Sequence, residues 1–323
     1  MKRNPIIEIG IAGTGDLAVK YLRILNKLKR FHVRGFYTRD LAAGRVFEEE
    51  YKLVHYVDLE ELLDKVDAIV FVSSEENTFE LYSKIIRRAK HLFINRLETQ
   101  DQEKVESLIE LSEEAGIVSQ IHLKKRFEEI VLSVLSLIHF PLYIDSQQVL
   151  PSKQALSSST VFFNRIQLLL SIVNSSTKKI FGDGIVIPHS EKKVLNARVE
   201  FDNACVANIT LDSIGKSHLD RIKFYHKDLT IIVDFVKHSI EIESFVDYRS
   251  LFPEDKPTLF HFTKDYNTNT WKSFVASIAE PEEDIFEREL KRFYHSIVSQ
   301  EKVEIDLSNL YESLLILNAM NVK

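Results

Sequence analysis

The chain has 323 residues, of which 45% are hydrophobic and 28% charged, with a formal net charge of -6. That length accommodates two domains, and the acidic balance leaves no basic surplus to neutralise nucleic-acid phosphates or an anionic membrane surface. Cys205 is the sole cysteine, which excludes an intrachain disulfide and a cysteine-based zinc cluster, and no metal site is expected. MKRNP leads into a strand without a signal-type apolar run, and no stretch nears the roughly 20 apolar residues that span a bilayer. Cytoplasm is the expected location.

Ile6–Ala18 (IIEIGIAGTGDLA) is the most informative stretch of the chain. Its β-branched run favours a buried strand. Gly13-Thr14-Gly15-Asp16-Leu17-Ala18 then matches G-x-G-x-x-G/A. Gly13 permits the turn, Gly15 lets the backbone approach a pyrophosphate, and Ala18 lets the helix sit close to the strand. The free N–H groups and the dipole of that helix suit the anion. The helix is predicted over 16–30, with Leu17, Tyr21, Leu25 and Leu28 on one face. Strands over 32–38, 67–72, 91–94 and 117–121 then alternate with helices over 41–51, 77–88 and 102–115, the last ending at Gly116. This alternation predicts a parallel sheet with right-handed crossovers, a Rossmann dinucleotide-binding domain over 1–121.

The end of the second strand reads Tyr37-Thr38-Arg39-Asp40. NAD-preferring proteins usually place an acid there for the ribose hydroxyls. A hydroxyl followed by a guanidinium suits a 2′-phosphate instead, so NADP is expected ahead of NAD. Asp40 is either that acid displaced by two residues or a helix N-cap, and the plain alternative for Arg39 is a solvated loop residue.

Beyond Lys124 the rhythm changes. Helices are predicted over 126–138 and 161–173. Strands are predicted over 142–149, 178–186, 194–202, 205–211, 221–225, 229–235 and 239–242, with Asn203 in a hairpin turn. Strand after strand implies a mostly antiparallel sheet and an α+β domain over 122–323. Leu251–Trp271 reads as a long loop. Helices over 283–298 and 307–320 close the chain and are free to pack back on the first domain.

These features together resemble the Gfo/Idh/MocA family of glucose–fructose oxidoreductase and inositol dehydrogenase relatives. GIAGTGDLA resembles its nucleotide loop, AKHLFINRLE (89–98) the strand ending in Glu-Lys-Pro, and KKRFEE the entry to the second domain. FFNRIQLLLSIVNS (162–175) resembles the helix carrying a His-Asp pair, and NARVEFDNACVANITLDS (196–213) a sheet hairpin. The resemblance implies a nicotinamide-dependent oxidoreductase acting on a sugar, polyol or related small molecule, with Ser73, Ser74 and Asn95 joining Gly13, Thr14, Gly15, Asp16, Leu17, Thr38 and Arg39 around the cofactor. It also implies a homodimer or higher homo-oligomer formed through the second sheet.

The catalytic positions depart from the family pattern. Asn95-Arg96-Leu97 stands at Glu-Lys-Pro, and Asn164-Arg165-Ile166-Gln167 stands where the His-Asp pair and its neighbours are expected. Arg96 keeps a positive charge but does not release a proton near neutrality. Asn164 and Gln167 hydrogen-bond but cannot act as a base. Ser73-Ser74-Glu75-Glu76-Asn77 replaces a Thr-Pro-x-x-x-His turn; Glu75 and Glu76 either reach a polyol or are solvated. His122, Lys124 and Lys125, at the domain junction, either supply the missing base or are structural and solvated residues. His189 and His226 read as loop residues, Phe79 and Tyr82 as core, and Cys205 as a small buried apolar group. Two functions fit these residues: an oxidoreductase with substituted catalytic residues, or a relative that binds dinucleotide or sugar without turnover. A subunit whose second sheet serves assembly is compatible with either.

Overall fold

The computed structural model describes residues 5–72, 78–95, 101–135, 137–138, 140–150, 157–187, 193–244, 261–267, 272–277 and 284–322. The chain divides into two compact units, 1–124 with 283–311 and 125–282 with 312–323. The first unit runs β1 (Ile7–Ala12), α1 (Asp16–Lys27), β2 (Phe31–Tyr37), α2 (Leu41–Tyr51), β3 (His55–Tyr56), α3 (Leu59–Leu63), β4 (Ala68–Phe71), α4 (Thr78–Arg87), β5 (His91–Ile94), α5 (Gln102–Ala115) and β6 (Ser119–Ile121). Its six strands are parallel in the order β3-β2-β1-β4-β5-β6. The order reverses between β1 and β4, the switch point where open α/β sheets take their ligands. β4 is buried along its whole length, as a strand covered on both faces requires.

The second unit opens with a 3₁₀ turn at Lys124–Phe127 and α6 (Glu129–Leu135). It continues through β7 (Tyr143–Val149), α7 (Ser158–Val173), β8 (Thr177–Val186), β9 (Lys193–Phe201), β10 (Val206–Asp212), β11 (Leu219–Tyr225), β12 (Leu229–Asp234), β13 (Ser239–Ser244), β14 (His261–Asn267) and β15 (Lys272–Ser277). The chain ends with α8 (Ile285–Ser299), α9 (Leu307–Asn318) and β16 (Met320–Val322). Among the described residues the sheet has the order β14-β15-β13-β12-β11-β7-β10-β9-β8-β16. It is antiparallel except where β7 meets β10 and β8 meets β16. The β9–β10 hairpin turns at Asn203, whose Oδ1 accepts from Cys205 N at 3.0 Å.

α8 belongs to the first unit. Its Leu290, Phe293 and Tyr294 join Tyr21, Leu22 and Leu25 of α1 in one buried cluster. Three expectations need correction. The helix expected over 126–138 is a 3₁₀ turn at Lys124–Phe127, in which Lys125 bonds Asp220 of β11, and then a short helix at Glu129–Leu135. Part of the loop expected over 251–271 is strand β14, which gains its ladder from β15. The last helix stops at Asn318, and Met320–Val322 pairs with β8. The short β3 and α3 were not predicted. Among the described residues no helix is long and apolar enough to cross a membrane.

Candidate functional site

The turn after β1 holds Gly13 at φ 121° and Gly15 at φ 91°, angles that favour glycine. A Cβ on Gly15 would meet no atom within 4 Å. The backbone angle therefore demands that glycine, and the space beside it stays open. Gly15 caps α1 without a side-chain hydrogen bond, which leaves first-turn N–H groups for an anion. Asp16 and Leu17 are exposed, Thr14 is half-buried, and Ala18 is fully buried.

Bonds beyond the strand ends lock this edge. Gly13 N donates to Tyr37 O (2.8 Å), Val72 N to Ala12 O (2.9 Å), Asn95 N to Phe71 O (3.0 Å) and His122 N to Ile94 O (2.8 Å). Gly13, Thr38, Asn95 and His122 consequently stand along one carboxyl edge of the sheet. Ser73, Ser74, Glu75, Glu76 and Arg96, with His189 elsewhere, lie outside the described residues.

At the end of β2, Thr38 is buried and its Oγ1 accepts from Asp40 N at 3.2 Å. The His55 ring bonds Thr38 O through Nε2 at 3.0 Å and stacks on Phe36 with centroids 4.9 Å apart. Asp40 caps α2, its Oδ1 accepting from Ala42 N and Ala43 N. The turn is thus fixed on both sides of Arg39, which is exposed.

Asn95, half-buried, accepts from the Tyr21 hydroxyl at 2.9 Å through Oδ1. Burial, then Glu289 and Asp284, hold that phenol well above its ordinary range. His122 Nδ1 meets Glu289 Oε2 at 2.5 Å, while Glu289 Oε1 accepts from Leu123 N at 3.0 Å. Glu289 is fully buried and the His122 side chain keeps 18% exposure. The imidazole stacks on Phe286, with centroids 4.7 Å apart.

Asn164 and Gln167 lie on α7 in the second unit, the first half-buried and the second buried. Arg165 between them bonds Asp220, as does Lys125. Burial, then Arg165, lowers the Lys125 ammonium pKa. Burial raises Asp220, but Arg165 and Lys125 outweigh it and hold the carboxyl below its usual value. Lys124 is exposed, His226 is half-buried beside the β11–β12 turn, Tyr82 is buried and Phe79 half-buried. Cys205 is buried, which pushes its thiol up to about 11. Among the described residues no group of three or more His, Cys, Asp or Glu is placed to hold a metal.

Sequence reading missed Tyr21 as a partner of Asn95, His55, Glu289 and Asp220. Two signals were present. Glu289 interrupts an apolar stripe that runs Phe286, Leu290, Phe293, and Asp220 takes an inward place in the alternation of Asp220, Ile222 and Phe224.

The strand order and glycine turn define a Rossmann-type dinucleotide-binding unit joined to an α+β unit. Residues 7–122 match the Gfo/Idh/MocA model, described as an oxidoreductase family with an NAD-binding Rossmann fold. The UDP-N-acetylglucosamine 3-dehydrogenase of Acidithiobacillus ferrooxidans is 21% identical over 251 residues, covering 73% of this chain and 76% of that protein. A solved structure of that dehydrogenase superposes with a TM-score of 0.76 at 16% identity, covering 97% of this chain and 96% of the other. A dehydrogenase from Chromobacterium violaceum gives 0.74 at 15% identity, covering 97% and 94%.

Proposed function

We propose that the protein is a nicotinamide-dependent oxidoreductase that acts on a hydroxyl of a sugar, sugar derivative or polyol and prefers NADP to NAD. The observation that carries this reading is the turn at Gly13 and Gly15, bent as glycine allows and open beside Gly15, at the switch point of the first sheet. The first-turn amides of α1 would hold the pyrophosphate, and Arg39, on its fixed turn, would meet the 2′-phosphate. Bound nicotinamide supplies the hydride chemistry. Asn95, fixed by Tyr21, would line the cofactor site. Asn164 and Gln167 would bind substrate hydroxyls, and Arg96 would orient the substrate by charge. Proton transfer then falls to a titratable group other than these amides.

The relative named for UDP-N-acetylglucosamine makes that compound the first substrate to assay. A second reading, a binder without turnover, is favoured by the amides at 164 and 167. The protein is incubated with NADP⁺ or NAD⁺ and UDP-N-acetylglucosamine, then with a panel of free sugars and polyols, while reduced nicotinamide is tracked by absorbance. The oxidoreductase reading expects turnover, faster with NADP⁺, that falls in Asn164→Ala. Saturable nucleotide binding with no turnover across the panel would support the second reading, and no nucleotide binding would refute both. Phe181 and Ile185, exposed on β8, support homo-oligomer formation through the second sheet, which sedimentation measures.

A further inference from the structure

One row of buried and half-buried side chains crosses the second sheet. Phe235 N bonds Asp220 O at 2.8 Å, Asp220 is paired with Gln148 across β11 and β7, and Gln148 with Leu211 across β7 and β10. Paired residues on neighbouring strands project to the same face. Lys125 and Arg165 also bond Asp220, one to each carboxylate oxygen. Their cationic ends lie 4.3 and 5.1 Å from the Phe235 ring centroid. One carboxylate therefore serves two cations, and Glu128 adds only a through-space attraction to both.

This arrangement is short of acceptors. Arg165 is 1% exposed, yet its Nε and Nη1 have no hydrogen-bond partner among the described residues. Gln148 is 4% exposed and its Oε1 also has none. A buried donor of a charged group left unpaired costs more than an ordinary hydrogen bond returns, and native interiors rarely keep one without a bound group to answer it. Hydrophobic side chains would fill the place at less cost if only packing were needed. The unpaired groups are complementary in kind: guanidinium donors for an anionic oxygen, and an amide oxygen for a hydroxyl.

We propose that Arg165, Lys125 and Gln148 form a site for an oxyanion, a phosphate or carboxylate group carried by a hydroxyl-bearing ligand. Arg165 Nε and Nη1 flank the Nη2 that Asp220 holds, and one of these two donors meets an oxygen of the oxyanion; Lys125 adds charge, and Gln148 Oε1 accepts from a neighbouring hydroxyl. Asp220 holds the two cations together, and Phe235 gives them an apolar but electron-rich wall. The inference deepens the proposed function by adding a negative charge to the substrate.

The test uses the full chain with NADPH at saturation, so that the α1 amides are occupied. Thermal unfolding is compared in chloride, inorganic phosphate and acetate at equal ionic strength. A bound oxyanion well above its dissociation constant raises the midpoint by about 2–4 °C. That rise is expected in the wild type and is lost in Lys125→Met and Arg165→Met. A response to phosphate alone assigns a phosphorylated ligand, and one to acetate alone a sugar acid. No response, or one that persists in the variants as a general salt effect, overturns the proposal. If Arg165→Met does not fold, Lys125→Met decides. NADPH fluorescence titration of the same samples, run separately in chloride, keeps the readings apart: nucleotide binding without an oxyanion response sinks this site alone.

Discussion

At Gly15 and Arg39 single residues have separable jobs: one is shaped by backbone angle, the other by charge. Arg39 sits between a buried threonine whose carbonyl His55 engages and an aspartate committed to capping α2. Asp40 is thereby explained as an N-cap. If the guanidinium answers a 2′-phosphate, a charge-assisted contact is at stake, so Arg39→Ala should weaken NADPH by about tenfold to a hundredfold. NADH should change by no more than about twofold. Fluorescence titration with both cofactors checks this, and equal losses would refute the NADP preference. The glycines were legible because they obey local rules. Glu289 and Asp220 were not, because an inward-facing carboxyl is recognised only by the distant group that bonds it, His122 being 167 residues from Glu289 in sequence.

Among the elements, the strands of the first unit were readable wherever apolar runs met turn chemistry. β4 and β5 show this, each a short continuous run of four residues. The elements that were missed owe their existence to neighbours. β3 is two residues paired to the end of β2, and β14 lies in a sequence without clear period and pairs with β15. The β5–β6 seam makes a pH prediction. His91 Nδ1 accepts from Val118 N at 3.0 Å, which requires an unprotonated nitrogen, and burial lowers the ring's pKa from 6.5. Between the folded value and 6.5 the unfolded chain binds the additional proton, so stability rises with pH in that window. The contribution is complete above 6.5 and declines on acidification. Denaturant midpoints should fall from about pH 7 to about pH 5, and less steeply in His91→Asn. An unchanged slope in that variant would contradict the assignment.

For the whole molecule, alternation of strand and helix and then strand upon strand was enough to read a Rossmann sheet and a mostly antiparallel one. The return of α8 to the first unit is set by tertiary packing of Leu290, Phe293 and Tyr294. The sequence marks that helix only as amphipathic. The residues proposed to line the cofactor and substrate sites at 95, 96, 164 and 167 lie outside the Gly13–Gly15 turn. Dinucleotide binding can therefore be tested apart from chemistry, and the direct measurement is titration of reduced nicotinamide dinucleotide fluorescence against wild type and Gly15→Val. A β-branched residue at φ 91° and ψ −171° is strained by about 1–3 kcal/mol, and its side chain fills the space a phosphate would use. Saturable NADPH binding is expected of the wild type and at least about tenfold weaker binding of the folded variant. Equal affinity in the two proteins, or no binding by the wild type, would contradict that expectation.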